Sequence, residues 1–432
     1  MTGRRRTTTL RTPRSFRSAA LSAGVWAACA SLAAGCGLIP RITGGGSKEP
    51  VTVMTWAPEK TAATNMPGMP AMARAYARWV NAHGGIGGRD LRVITCNDNN
   101  DTVGAARCAR DAVEQKAVAV VGSYSQHARS FLAPLESAGI PYIGGYGVTD
   151  EEFASPLSYP VNGGQPALMA GNGRQLAAAG CARTSLVRPD TVAGDQLPLL
   201  LDTGLSTGRN AAADVRAAED ATDYTDQAQQ ALSRAGADPA AKGCVTAVLG
   251  DRTDTFFDSF RRARDAYPKV RISSVLGSVD QTVIDRSGGR SGVYEGAYVT
   301  GWYPVSTDRR WATMRQVISE QAFGDNRIDP ADAGVQTTWI AYTVLKQVIE
   351  SLGDGDVTAH SVRGALDGGL KVRTGGLTPT LSWRFEDMIA ARGFPRLVNA
   401  DVTFQVVRDG RLVAARRGLV DVSGTLEATP EG

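Results

Sequence analysis

Histidine is scarce in this chain. There are three in 432 residues, His83, His127 and His360. They are far apart and share no metal-ligand spacing. The sequence also lacks a G-x-x-x-x-G-K phosphate loop, a G-x-S-x-G elbow and an H-E-x-x-H pair. No nucleophile–base pair can be picked out, so the sequence gives enzyme chemistry no foothold. The polar run Asn97–Asp101 lacks the glycine and the distal glutamate of an EF-hand loop and reads as a helix cap. No metal and no cofactor is expected.

Excess charge of one sign is missing too. The formal net charge is +4, but six arginines, Arg4, Arg5, Arg6, Arg11, Arg14 and Arg17, stand in the first eighteen residues, which hold no acid. Without them 41 basic residues face 43 acidic ones. A near-neutral body argues against nucleic acid as a partner, because phosphate neutralisation needs clustered lysine and arginine. Beyond the N-terminal region no run is long and apolar enough to cross a bilayer.

What is present begins with a targeting pattern. The arginine-rich head leads into Ala19–Ala34, apolar and rich in small residues, which ends in Leu32-Ala33-Ala34-Gly35-Cys36. That ending resembles a bacterial lipobox, and the resemblance implies cleavage before Cys36 and attachment of a diacylglycerol to its thiol. The plainer alternative is a secretory signal with incidental cysteines at 29 and 36. Residues 1–35 are thus expected to be a lipoprotein signal peptide and 36–50 a tether, flexible through Ile42–Lys48. The folded body would be exported and held at the outer face of the cell membrane by lipid alone.

Four cysteines remain for the body: Cys96, Cys108, Cys181 and Cys244. An even number in an exported chain suggests disulfides, and four allow three pairings. Pairs Cys96–Cys108 and Cys181–Cys244 are favoured because each lies within one expected domain. A metal site is the weaker alternative, since no C-x-x-C spacing exists.

From Val51 the chain alternates strand and helix, the rhythm of parallel α/β sheets. Residues 117–147 carry it most openly. Ala117–Val121 reads as a buried strand, Gly122–Ser125 as a polar turn, Gln126–Ala138 as a helix ended by Gly139, and Ile140–Ile143 as a second strand entering Gly144–Gly147. Such βαβ units cross over right-handedly, and open α/β sheets bind ligands at turns following the carboxyl ends of strands. The rhythm breaks at Thr149–Pro166, resumes from Ala167, and meets a second break at Gly301–Pro304. Helices are expected near Arg309–Ala322, Ala331–Leu352 and Thr358–Leu366, and Asp409-Gly410 marks a hairpin.

Two passages then resemble a known family. Val80–Asp101 (VNAHGGIGGRDLRVITCNDNND) and Ala117–Gly144 (AVAVVGSYSQHARSFLAPLESAGIPYIG) resemble consecutive segments of type I periplasmic binding proteins, the branched-chain amino-acid (Leu/Ile/Val) class of ABC-transporter solute-binding proteins. Asp332–Leu352 resembles the long helix after that family's second crossing, and Gly375–Val413 its closing segment. The resemblance implies two doubly wound parallel-sheet lobes joined by a multi-strand hinge. Lobe I would comprise residues 51–157 and 304–377, and lobe II residues 158–303 and 378–432. It implies a monomer that closes on a small amino-acid-like ligand and delivers it to permease and ATPase subunits. A ligand sensor acting on a membrane signalling partner is the alternative, and an enzyme on a similar frame a distant third.

On the residues themselves, Ser123, Tyr124 and Ser125 are expected ligand contacts, since hydroxyls and N–H groups before a helix can hold a carboxylate. The alternative is that Ser125 caps the helix and Tyr124 is core. Gly144, Gly145 and Tyr146 match the family's second ligand loop, but Gly-Gly-Tyr-Gly departs from its pattern and displaces Thr149. Trp56, Pro58 and Glu59 follow the first strand. Asp190 and Asp195 flank a turn where the family carries an aromatic contact and this chain has none. Asp251 could take an ammonium or be a cap or surface pair. Asp280 and Trp302 are weaker candidates, Trp302 being as readily hinge packing.

Overall fold

A computed structural model describes residues 48–205 and 211–428. The signal segment and Cys36 lie outside the described residues, as does all of the expected flexible stretch of the tether except Lys48, whose ammonium pairs with Asp354 at 2.6 Å.

The first sheet is built from β1 (Val51–Trp56), β2 (Leu91–Cys96), β3 (Ala119–Val121), β4 (Tyr142–Ile143) and β5 (Ser158–Tyr159), all parallel, in the order β2-β1-β3-β4-β5. Between them run α1 (Gly68–Ala82), α2 (Thr102–Glu114), α3 (Ala128–Ala138) and the short α4 (Glu151–Ala154). Strand and helix starts agree with the sequence reading to within a few residues. α2 is capped as expected: the Asp101 carboxylate accepts the Gly104 N–H at 2.6 Å. α3 stops at Gly139, whose φ of 68° is the left-handed conformation that ends helices.

The second sheet follows α5 (Gly164–Ala178). It comprises β6 (Arg183–Pro189), α6 (Leu197–Leu205), β7 (Ala213–Ala217), α7 (Thr225–Ala235), β8 (Gly243–Ala247), α8 (Thr253–Ala263), β9 (Val270–Val275), α9 (Gln281–Arg286) and β10 (Tyr298–Gly301). β6 to β10 are parallel neighbours in the order β10-β9-β8-β6-β7. The chain then returns to the first sheet as α10 (Ala312–Gln321), α11 (Ala333–Ser351) and α12 (Ala359–Asp367). It closes on the second with β11 (Asp401–Arg408), β12 (Arg411–Ala414), β13 (Val420–Asp421) and α13 (Ser423–Glu427). β11 and β12 form the expected hairpin at Asp409-Gly410, and β11 pairs antiparallel with β10. This is an α/β fold with one parallel and one mixed sheet.

Strand β5 carries the first sheet to Tyr159, two residues past the boundary expected at 157, because Ser158 and Tyr159 pair with Tyr142 and Ile143. Three stretches join the sheets: 160–163, 302–311 and the irregular 373–400. They are tied sideways. The Trp383 indole donates to the Pro160 carbonyl at 2.9 Å, and the Asn399 amide to that of Val161 at 3.0 Å.

The long helix α11 is mostly buried and lies against the loops at the carboxyl edge of the first sheet. A side chain at Gly122 would overlap Thr338, and the Thr338 hydroxyl donates to the Gly122 carbonyl at 3.1 Å. On the opposite face Met54, Trp56, Cys108, Phe131 and Tyr142 pack as a separate cluster with α2 and α3. Both favoured disulfides are present. Cys96–Cys108 joins the end of β2 to α2, and Cys181–Cys244 joins the start of β6 to β8. No described helix is long and apolar enough to cross a membrane.

Candidate functional site

The carboxyl ends of both parallel sheets face one another across a cleft, where open α/β sheets place ligands. From the first sheet it is lined by Thr64 and Met66 after β1, Tyr124 and Gln126 after β3, and Tyr146 and Val148 after β4. From the second come Thr191 and Gly194 after β6, Glu219 after β7, Leu249 and Gly250 after β8, and Gly277 and Ser278 after β9. Gln165 and Leu168 of α5 and Trp302 of the second crossing complete it. About 70 Å³ remains free, against several hundred in a typical small-molecule site.

Aromatic rings occupy the centre. Tyr146 meets Tyr124 edge-on at 5.1 Å between ring centres, and Trp302 at 5.0 Å. Trp302 is fixed by its indole N–H, which donates to the Gly164 carbonyl at 2.9 Å. Trp302 is thus cleft wall as well as hinge packing. The two first-sheet loops are laced together, since the Tyr146 N–H donates to the Ser123 carbonyl at 3.1 Å. Polar contacts run alongside: the Gln126 amide nitrogen is 3.2 Å from the Tyr124 hydroxyl and 3.3 Å from a Glu219 carboxylate oxygen. That second bond joins the lobes. The Arg252 guanidinium, donating to the Ala62 carbonyl at 3.0 Å, joins them again at the rim.

A buried carboxylate holds the second loop in shape. Glu152 is 2 % exposed and accepts the N–H groups of Gly147, Val148 and Thr149 at 2.9–3.2 Å, with the Tyr142 hydroxyl at 3.4 Å. Burial pushes its carboxyl up to about 7 although these bonds pull the other way. Burial likewise lifts Asp332, the N-cap of α11, to about 7 and Asp280, the N-cap of α9, to about 6. Both cleft tyrosines are raised by burial, with neighbouring carboxylates adding to it.

Of the residues singled out in the sequence, Tyr124 and Tyr146 line the cavity. Ser123 and Ser125 do not. Both are 0 % exposed; the Ser123 hydroxyl accepts the Trp56 N–H at 3.1 Å and the Ser125 hydroxyl the His127 N–H at 3.2 Å. They brace the loop from inside the first lobe. Trp56 is wholly buried against Phe131 and Tyr142, with ring centres 5.2 and 6.1 Å away. It faces the core because β1 alternates and its last residue points away from α11. Gly145 packs under Glu152, where any side chain would meet its carboxylate. Asp190 pairs with Arg216 at 3.7 Å, outside a wall formed by its neighbours Pro189 and Thr191. Asp251 is an exposed rim residue facing the Asn65 backbone across the cleft, and burial pushes its carboxyl up. Glu219, Gln165 and Gly277 were not singled out. Glu219 and Gly277 each follow the carboxyl end of a parallel strand, which is the signal that would have found them.

A family model described as periplasmic binding protein matches residues 60–392. By sequence no curated protein matches. Among solved structures, an extracellular ligand-binding receptor from Verminephrobacter eiseniae is 15% identical with a TM-score of 0.68, covering 84% of this chain and 99% of that one. A leucine-binding protein from Thermotoga maritima is 14% identical with a TM-score of 0.66, covering 86% and 99%. An ABC-transporter solute-binding protein from Rhodopseudomonas palustris, in complex with p-hydroxybenzoic acid, is 14% identical with a TM-score of 0.69, covering 87% and 97%.

Proposed function

Because the chain belongs to the periplasmic binding protein family, we propose that it is an exported solute-binding lipoprotein that captures a small polar solute, an amino acid or a related amine, and delivers it to an ABC importer. The observation that carries this reading is the cleft itself. Loops from the carboxyl ends of two opposed parallel sheets line it, and the lobes meet across it through Gln126–Glu219 and Arg252–Ala62. Three connecting stretches can flex together, so a ligand that bridges the lobes selects the closed form. Tyr124 and Tyr146 are its ligand contacts in this reading, with Glu219 and Gln165 beside them. The lobe boundaries then follow the sheets: residues 51–159 with the 304–377 helices, and 164–303 with 401–428.

Delivery requires a fixed position near the permease. Cys36 as a lipid site and the following tether supply it, and no described helix competes as an anchor. The test is a thermal-shift screen of the body from Lys48 onward against amino acids, amines and aromatic acids, with mass analysis of the exported full chain for a diacylglycerol on Cys36. A shift with an amine-bearing solute and a lipidated Cys36 are expected. No shift with any solute rejects the capture reading, and an unmodified exported chain rejects the anchor.

A further inference from the structure

The cleft lining is lopsided in charge. Among the described lining residues Glu219 is the one charged side chain, and none is arginine, lysine or histidine. The cations nearby are committed elsewhere. Arg252 donates across the rim to the Ala62 carbonyl, Arg327 pairs with Asp325 and Glu59, and Arg286 pairs with Asp254. His127 faces an adjoining hollow at the start of α3 and stands close enough to act electrostatically on Glu219. Further carboxylates, Asp251 at the rim and Asp332 at the start of α11, stand close enough to act electrostatically on the Tyr146 hydroxyl.

The polar groups inside the cavity point the same way. The Glu219 carboxylate has one hydrogen-bond donor among the described residues, the Gln126 amide, on one of its two oxygens. The Gln165 side-chain oxygen is buried and accepts no hydrogen bond. Both are acceptors awaiting an N–H. Beside them Tyr124, Tyr146 and Trp302 meet edge to face. Aromatic faces attract cations, the more strongly where water is excluded. A carboxylate entering this cavity would meet Glu219 and three ring systems with no arginine or lysine in the wall, and burying an unpaired charge is costly.

We propose that the cleft selects a small alkylammonium, an amine without a carboxylate, held by Glu219 and the Gln165 amide oxygen against the Tyr124–Tyr146–Trp302 rings. The proposal rests on the solute-capture reading above and narrows it: of the two halves of an amino acid, this site is built for the ammonium. Glu219 supplies the countercharge and, through Gln126, also ties the lobes, so ligand charge and closure act on one side chain.

A matched set on one carbon skeleton tests it. Isothermal titration of the protein from Lys48 onward compares isopentylammonium, leucine, 3-methyl-1-butanol and 3-methylbutanoate, with benzoate as an aromatic anion. The ammonium is expected to bind at least tenfold more tightly than each of the others. Glu219→Gln should weaken it at least tenfold, whereas Asp190→Asn, outside the cavity, should leave binding unchanged. Equal or tighter binding of leucine, 3-methylbutanoate or benzoate overturns the charge selection and leaves solute capture standing. Binding of nothing in the set, together with no response in the wider solute screen, removes both. The ranking on the unaltered protein decides the matter even if Glu219→Gln fails to fold.

Discussion

The Tyr146 hydroxyl occupies the space where a side chain on Gly277 would begin. Tyr146 comes from the first sheet and Gly277 from the loop after β9 of the second, so the closed cleft depends on that missing side chain. Gly277 also has a φ of 92°, which non-glycine residues rarely adopt. Gly277→Ala should therefore act twice. It should cost about 1 kcal/mol from the backbone alone, and it should keep the lobes apart. Small-angle scattering is expected to give a larger radius of gyration for the variant, and ligand titration an affinity lower by tenfold or more. An unchanged radius would show that Tyr146 moves aside and that this contact does not set closure.

Tyr146 also sets how large a ligand the closed cleft admits. Its ring is 6 % exposed and fills the middle of the cavity. Tyr146→Ala should lower stability by about 3 kcal/mol, as for other large-to-small changes at buried aromatics. The vacated space keeps its Tyr124 and Trp302 walls and should accept a free ring. p-Cresol, the Tyr side chain as a separate molecule, is expected to raise the thermal midpoint of the variant and to leave that of the unaltered protein where it was. No rescue by p-cresol would mean that the lobes collapse into the space instead.

Much of this was legible in the sequence, and the split is physical. Strand, turn and helix follow from apolar runs punctuated by Gly122, Gly139 and Gly144, so the first βαβ unit and the position of the cleft could be read directly. The disulfides followed from parity and from each pair lying within one domain. What could not be read was the direction of side chains within a loop. Ser123, Tyr124 and Ser125 are consecutive, and the serines turn inward to the Trp56 and His127 N–H groups while the tyrosine turns out. Hydroxyl chemistry suits either role, and only the neighbouring backbone donors decide between them. Glu219 stands just past the carboxyl end of β7, where it could have been sought, but the Gln126 it meets lies 93 residues away.

Three acids, Glu152, Asp332 and Asp280, give the fold a pH dependence of definite sign. Each is raised by burial, to about 7, 7 and 6. In the unfolded chain such carboxyls ionise near 4. Between roughly pH 4.5 and 7 the native state therefore carries protons that the unfolded state has released, and stability falls as pH rises. Below that window the two states are protonated alike and the dependence from these groups vanishes. Glu152 alone is worth on the order of 2 kcal/mol across it. The thermal midpoint should be higher at pH 5 than at pH 7.5. Glu152→Gln should flatten that slope, while loosening the Gly147–Thr149 turn because an amide offers one acceptor oxygen in place of two. A midpoint rising from pH 5 to 7.5 would contradict the assignment.

The two disulfides should differ in what they contribute. Cys96–Cys108 closes a loop of sequence separation 12 and Cys181–Cys244 one of 63. If a cross-link acts mainly by restricting the unfolded chain, its worth grows with the logarithm of loop length, which gives about 3 and about 4 kcal/mol. Replacing Cys181 and Cys244 by alanine should thus lower stability more than replacing Cys96 and Cys108. The location of the bonds sharpens the contrast. Cys181–Cys244 ties the chain just before β6 to the start of β8, at the amino end of the second sheet and away from the cleft, whereas Cys96–Cys108 fastens the carboxyl end of β2 to α2, on the cleft side of the first sheet. Removing the first pair should lower stability alone, and removing the second should lower stability less but also weaken ligand binding, because the Asn97 that follows Cys96 holds the loop after β1 through Glu59. Chemical denaturation and ligand titration of the two double variants separate these effects. Equal losses from both pairs would show that native-state packing, and not loop entropy, governs what each bond is worth.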